Sequence, residues 1–391
     1  MRCLYKGGDL WYTFFMQEKA LQENSRGDDL ALWASFCLFL SAVEYAVPKP
    51  LPFMRLGLAN LPIILSLKKF PLRKIYALAA LKVLGQALIS GTLFSYVILF
   101  SAAGTFASVL FMTAFSALGE RNVSFLGLSL IGAFSNNMAQ LICARLIMFG
   151  ESTRYIAPPL LACGLVTGFF LGLFALAFEE KSVWYRQCGD CGEKNFQLNL
   201  KRESRLGCGF SLSARKISFS FPALRFCLCM ISMVVFLFIK TLWIKWTFTG
   251  VFFILAEIKK KGKVNILSAL FITLGVCFFA LLVPHGKVLL SIGSWRITQG
   301  ALTAGLYKSA GLIGMVFISQ TAVDRNLLLP GKAGALVTRT LACFETLTSM
   351  RIRFRKGSII ESLDSAVLNA QKELWGAEMS ADLGADAADK I

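Results

Sequence analysis

Charge is what this chain has little of. Charged side chains make up 16% of its 391 residues, against roughly a quarter in soluble globular domains. Acids number 23 against 41 lysines and arginines. So sparse a charge excludes a soluble fold of this length and leaves a polytopic membrane protein. Histidine is nearly absent: His285 stands alone in a Pro-His-Gly turn, and neither a His-Glu-x-x-His helix nor a Ser/His/Asp arrangement occurs. We therefore assign no catalytic residue and read the chain as a non-enzyme. No Gly-rich loop ending in Gly-Lys-Ser/Thr is present, which excludes ATP hydrolysis by the chain itself. A long soluble segment with one basic face is missing too. The net charge of +18 is spread in short clusters between apolar runs, which is the positive-inside pattern and not a nucleic-acid footprint. A cleavable signal peptide is not expected, because the first long apolar run begins only at Leu30.

What is present is apolar: 56% hydrophobic residues and a mean hydropathy of +0.62. After a mixed-charge segment over 1–29, the runs Leu30–Val47, Met54–Leu67, Ile75–Ser90, Thr92–Leu118, Leu126–Phe149 and Ile156–Phe178 make a first membrane block over 30–178 of about six spans. Leu30–Val47 has 18 residues, enough for the ~30 Å hydrocarbon core. Met54–Leu67 has 14 and holds Gly57, Asn60 and Pro62, so it predicts a half-length or re-entrant helix. A basic linker over 179–222 leads to a second block over 223–323. It holds about four spans: Leu224–Phe238, Leu242–Ile258, Ile266–Val283 and, after an interfacial segment containing Arg296, Ala301–Gln320. The remaining 324–391 is helix-prone between Ala333 and Gln371. The predicted fold is all-α and multi-pass. The basic segments put both termini and the 179–222 linker in the cytoplasm of a cell with this protein in its plasma (inner) membrane.

Cys37, Cys143, Cys163, Cys227 and Cys229 sit inside apolar runs and read as small packing residues, not as a disulfide framework. Cys188 and Cys191, with Cys208 nearby, have metal-like spacing but no fourth ligand. They read as reduced thiols, and we assign no metal and no cofactor. Gly85, Gly91, Gly104, Gly127 and Gly132 permit close helix approach.

The polar residues of the first block carry the functional reading. Glu44 to Pro62 packs four prolines, Glu44, Lys49, Arg55 and Asn60 between strongly apolar runs. Interrupted apolar segments of this kind mark sites in membrane proteins. Lys82 lies near the middle of its span with Gln86 four residues later on the same face. Asn136, Asn137 and Gln140 lie mid-span, and the 3–4 spacing from Gln140 groups all three on one face. Each is costly in the bilayer unless it faces a partner or a cavity. For the three amides, interhelical hydrogen bonds worth under ~2 kcal/mol each and a ligand contact are equally open. For Glu44, Arg55 and Lys82 a site is favoured, because charges of both signs converging are hard to explain as packing. The candidate substrate-binding set is Glu44, Arg55, Asn60, Lys82, Gln86, Asn136, Asn137 and Gln140.

Arg55-Leu-Gly-Leu-Ala-Asn60, together with Lys82-Val-Leu-Gly85, Gly91-Thr-Leu-Phe-Ser95, Gly104, Gly132-Ala133, Asn137 and Gln140, resembles the Gx transporter family, also labelled heptaprenyl diphosphate synthase component I. The resemblance covers about residues 35–178. Family members look like the substrate-binding S components of energy-coupling-factor transporters. They usually show basic residues at the places of Arg55 and Lys82, and often histidine where this chain has Asn136. Gly293-Ser-Trp-Arg-Ile-Thr298 and the segment after it look like the T component of the same transporters, with Asn369-Ala-Gln-Lys-Glu373 in the place of an Arg-centred coupling motif. The resemblance implies a transporter subunit that binds a small molecule for uptake, embedded in the lipid bilayer. Separate ATPase subunits would dock on its C-terminal helices. The alternative is a non-catalytic membrane subunit, component I, of a heptaprenyl or polyprenyl diphosphate synthase. Asp28-Asp29 has no second aspartate-rich partner, so the Mg-diphosphate chemistry of such a synthase is not encoded in this chain.

Overall fold

A computed structural model describes residues 28–46, 57–118, 123–190, 220–260, 266–283, 285–292, 295–322, 331–349 and 359–371. They are helical almost throughout. The first block contains α1 (Asp28–Ala46), a 3-10 turn (Leu58–Asn60), α2 (Leu61–Ser66), α3 (Leu72–Ser90), α4 (Tyr96–Leu118), α5 (Phe125–Ala144), α6 (Thr153–Lys181) and the short α7 (Val183–Asp190). Among the described residues four helices are long and apolar enough to cross a membrane: Tyr96–Leu118, Phe125–Ile147, Gly150–Lys181 and Gln299–Ala322. Shorter apolar helices accompany them at Leu228–Phe238 and Ala269–Leu281. On α4, α5 and α6, Leu110, Phe111, Phe115, Phe134, Ile142, Val166 and Phe170 are exposed on the protein surface. Such a surface is stable against hydrocarbon and not against water. The protein is an all-α polytopic membrane protein.

α1 is the helix that the first block wraps. No residue from Leu30 to Ser41 is more than 7% exposed. A helix apolar on every side must be surrounded by lipid or by protein, and here it is protein. α3 lies along it, and so does α12 (Gly331–Ser349) from the far end of the chain. Near the start of α1, Trp33 packs tilted against Trp184 with ring centroids 4.8 Å apart and against Phe70 at 5.2 Å. Tyr185 Oη donates to the Leu65 carbonyl at 3.2 Å. A last helix, α13 (359–371), buries Leu363, Ala366, Val367 and Ala370 in the same core. Its Asp364 takes the backbone N–H groups of Val183 and Trp184, each at 3.1 Å, at the start of α7. Asp364 also accepts from the Ser182 hydroxyl. A carboxylate at a helix N-terminus satisfies donors that have no intrahelical partner. Among the described residues the predicted helix-prone region 333–371 holds two helices, both seated on the first block.

The second block comprises α8 (Ser220–Phe238), α9 (Leu242–Lys260), α10 (Ile266–Leu281) and α11 (Gln299–Ala322), with α11 against each of the other three. Gly314 makes this possible: a Cβ there would overlap the Phe236 ring. The predicted interfacial segment is an antiparallel hairpin, β1 (Val288–Ile292) and β2 (Trp295–Thr298), with Ser291 opposite Arg296. Its β-branched and leucine-rich halves flank a Gly-Ser turn sequence, a hairpin signal that an apolar reading of the whole run obscures.

The turn between α3 and α4 ties the blocks together. Phe94 N–H donates to Ser319 Oγ at 3.0 Å. Gly91 caps α3 in the left-handed conformation, with φ +71°. A Cβ on Gly91 would lie 3.3 Å from Gln320 Cα. Gly91→Val combines an unfavourable φ with a collision against backbone, so we expect a loss of about 2–3 kcal/mol. Thermal unfolding in detergent measures it, and an unchanged midpoint would show that this contact is not formed.

Candidate functional site

Gly57, at φ +79°, opens the 3-10 turn Leu58–Asn60, a conformation that side-chain-bearing residues adopt only with strain. Asn60 N–H returns to the Gly57 carbonyl at 2.8 Å. Pro62 falls in the first turn of α2, where its missing N–H is no loss. The predicted half-length helix is therefore this turn followed by six helical residues, all buried. Arg55 lies outside the described residues.

The turn presents Asn60 to α3. Lys82 is 5% exposed, and its Nζ meets Asn60 Oδ1. An ammonium carries three donors and needs acceptors once it leaves water. α3 is held close to α1 at Gly85, where a Cβ would lie 2.7 Å from Leu38 Cδ1. Glu44, in the last turn of α1, is likewise buried, at 6% exposure. One turn beyond Lys82, Gln86 is half-buried and lines a small cavity between α3 and α4 with Ser90, Thr92, Val97, Ile98 and Ser101.

The three amides of α5 sit elsewhere. Gln140 Nε2 donates to Asn136 Oδ1 at 3.3 Å, and this pair lies against Gly104 of α4, where a Cβ would overlap it. Asn137 turns toward α6: its Nδ2 donates to the Leu160 carbonyl at 3.4 Å and fills the space that Gly164 leaves open. Asn136 also reaches Asn137 Oδ1 at 3.4 Å. Of the three amides that the spacing predicts on one face, Asn136 and Gln140 share it, while Asn137 serves the neighbouring interface. Among the described residues no hydrogen bond joins these amides to Lys82 or Asn60. The structure thus brings Asn60 and Lys82 into contact, encloses Glu44, sets Gln86 on a cavity and wedges the amides between α4, α5 and α6.

A carboxylate and an ammonium enclosed in one packed block can take the two ends of a zwitterion, or an anion at Lys82, by exchanging hydrogen bonds. His285 is exposed, its N–H on Thr298 Oγ1 at 3.2 Å. Cys191 and Cys208, and the side chain of Cys188, lie outside the described residues. Sequence reasoning passed over two buried polar residues. Asp364 acts on a helix some 180 residues away, which no local pattern reports. Lys245 was legible as a charge near the start of the apolar run Leu242–Ile258, twelve residues from the other one, Glu257.

No curated protein and no solved structure matches the chain. Two protein families do match parts of it, and the first covers all of the candidate residues. Residues 33–178 match the family described as heptaprenyl diphosphate synthase component I, which is the family that the first block resembles in sequence, and residues 221–324 match a domain of unknown function (DUF8519).

Proposed function

We propose that the first block binds a small polar molecule at Glu44, Asn60 and Lys82, and that the chain is the substrate-binding subunit of an uptake transporter of the energy-coupling-factor kind. The observation that carries this reading is the Lys82 ammonium held on Asn60 inside a packed apolar block. A membrane anchor has no use for such a group, and an intramembrane ionisable residue is a site by default. The chain carries out no chemistry in this reading. It lies in the plasma membrane with cytoplasmic termini, and energy comes from a separate ATPase pair. The seating of α12 and α13 on the first block constrains where that pair docks. Their inner faces are occupied by α1 and α7, so the ATPases meet the outward residues Glu345, Thr348, Glu361 and Ser365. Deleting 333–371 would strip the first block of core, so surface substitutions are the sharper test.

A second reading has the family description behind it: a non-catalytic component I of a heptaprenyl diphosphate synthase. Purification of the full chain from its own membrane separates the two. In the transporter reading an ATPase pair co-purifies, and mass spectrometry finds a polar small molecule retained by the wild type and reduced at least tenfold in Lys82→Met. Recovery of a soluble aspartate-rich synthase, with no retained molecule, would overturn it in favour of the second.

A further inference from the structure

The second block encloses a lysine of its own. Lys245, in the first turn of α9, is 6% exposed. Its Nζ lies 3.8 Å from the centroid of the Tyr307 ring and 5.3 Å from that of Phe236. The Tyr307 ring is held in place by its hydroxyl, which donates to the Ile239 carbonyl at 2.8 Å just past the end of α8. Gly311 leaves the surface of α11 low beside the ammonium: a Cβ there would lie 3.6 Å from Nζ.

Acids are scarce in this block. Between Ser220 and Ala322 the sequence contains a single acid, Glu257, against ten lysines and arginines. Glu257 is twelve residues further along α9, about 18 Å away on a helix. Among the described residues no hydrogen bond or ion pair to Lys245 Nζ occurs. Ring contacts offset only part of the desolvation of a buried ammonium, and the positive end of the α9 dipole works against a cation in its first turn. The position needs an anion.

We propose that Lys245 is the centre of an oxyanion site that takes a phosphate group, with Phe236 and Tyr307 as its apolar walls. The surroundings fit a phosphate that arrives on a lipid. Trp243 is 81% exposed and Phe238 78%, the aromatic signature of a membrane interface, and Lys240 and Lys308 are exposed at the same end of the block. A headgroup phosphate at that depth would reach Lys245 with its acyl chains along the outward faces of α8 and α9.

The experiment uses the purified full chain in neutral detergent, titrated with dioleoyl-phosphatidylglycerol, dioleoyl-phosphatidylcholine or inorganic phosphate, with the melting midpoint as readout. Phosphatidylglycerol is expected to raise the wild-type midpoint well above the phosphatidylcholine control. Lys245→Met should bind it at least fivefold more weakly, while Lys245→Arg keeps the effect. A Lys245-dependent rise with phosphatidylglycerol alone identifies a lipid-borne phosphate, and one with inorganic phosphate as well identifies the free anion. Equal shifts in wild type and Lys245→Met overturn the proposal. Native mass spectrometry of the wild type, which needs no variant, overturns the lipid source independently if phosphatidylglycerol is not preferred over phosphatidylcholine.

Discussion

Asp364→Ala is expected to cost about 3–5 kcal/mol of stability. The carboxylate accepts from two backbone N–H groups and one hydroxyl at a helix start where Ser182 and Trp184 are fully buried. Each donor stranded without a partner costs about 1–3 kcal/mol, and the lost negative charge at the α7 N-terminus adds a fraction more. Asp364→Asn, which keeps one acceptor oxygen, should lose roughly half as much. The readout is thermal unfolding of the full chain in detergent, paired with hydrogen exchange at the Val183 and Trp184 amides. Those amides should exchange faster in Asp364→Ala before the rest of the block is affected, because the cap is what protects them. Wild-type exchange at both would mean that α13 does not seat on α7. The same loss would expose Trp184, whose ring packs on Trp33 and Phe36 of α1, so the effect should spread from the end of the chain to its first helix.

The second large effect is expected at Asn60 and Lys82. Asn60→Leu leaves the buried ammonium short of an acceptor and should lower stability by about 2–4 kcal/mol, in the range that insertion scales assign to a charge at mid-depth. Lys82→Met removes the charge and leaves the Asn60 amide without its donor, so its loss should be smaller, about 1–2 kcal/mol. The double variant should recover part of the Asn60→Leu loss, with a coupling above about 1 kcal/mol. Additive losses would show that the contact contributes nothing. Retained small molecule, measured beside stability, separates a site from a structural pair: binding is expected to stay lost in the double variant even where stability returns.

How much of this was legible in the chain depends on the range over which each feature is decided. The helices were, because an unbroken apolar run has no alternative in a bilayer to satisfying its backbone internally. Leu30–Val47 became Asp28–Ala46, and Leu242–Ile258 became Leu242–Lys260. The broken helix at Gly57–Pro62 was also legible, since a glycine, an asparagine and a proline in that order carry a local conformational meaning whatever surrounds them. Lys82 and Glu44 could be singled out, because a charge in an apolar run is costly wherever it lies.

What surrounds each helix was not legible. Hydrocarbon and leucine side chains are equally apolar, so composition does not distinguish α1, sealed in protein, from α4, with Phe111 and Phe115 facing outward. Spacing placed the three amides of α5 on one span, but Gly104 on one neighbour and Gly164 on another decided which way each turned. The seating of α12 and α13 on the first block rests on contacts such as Asp364 with Ser182, far apart in the chain. Only the fold could bring these together, because a buried donor is satisfied by whichever acceptor tertiary packing delivers, and one-dimensional periodicity carries no record of it.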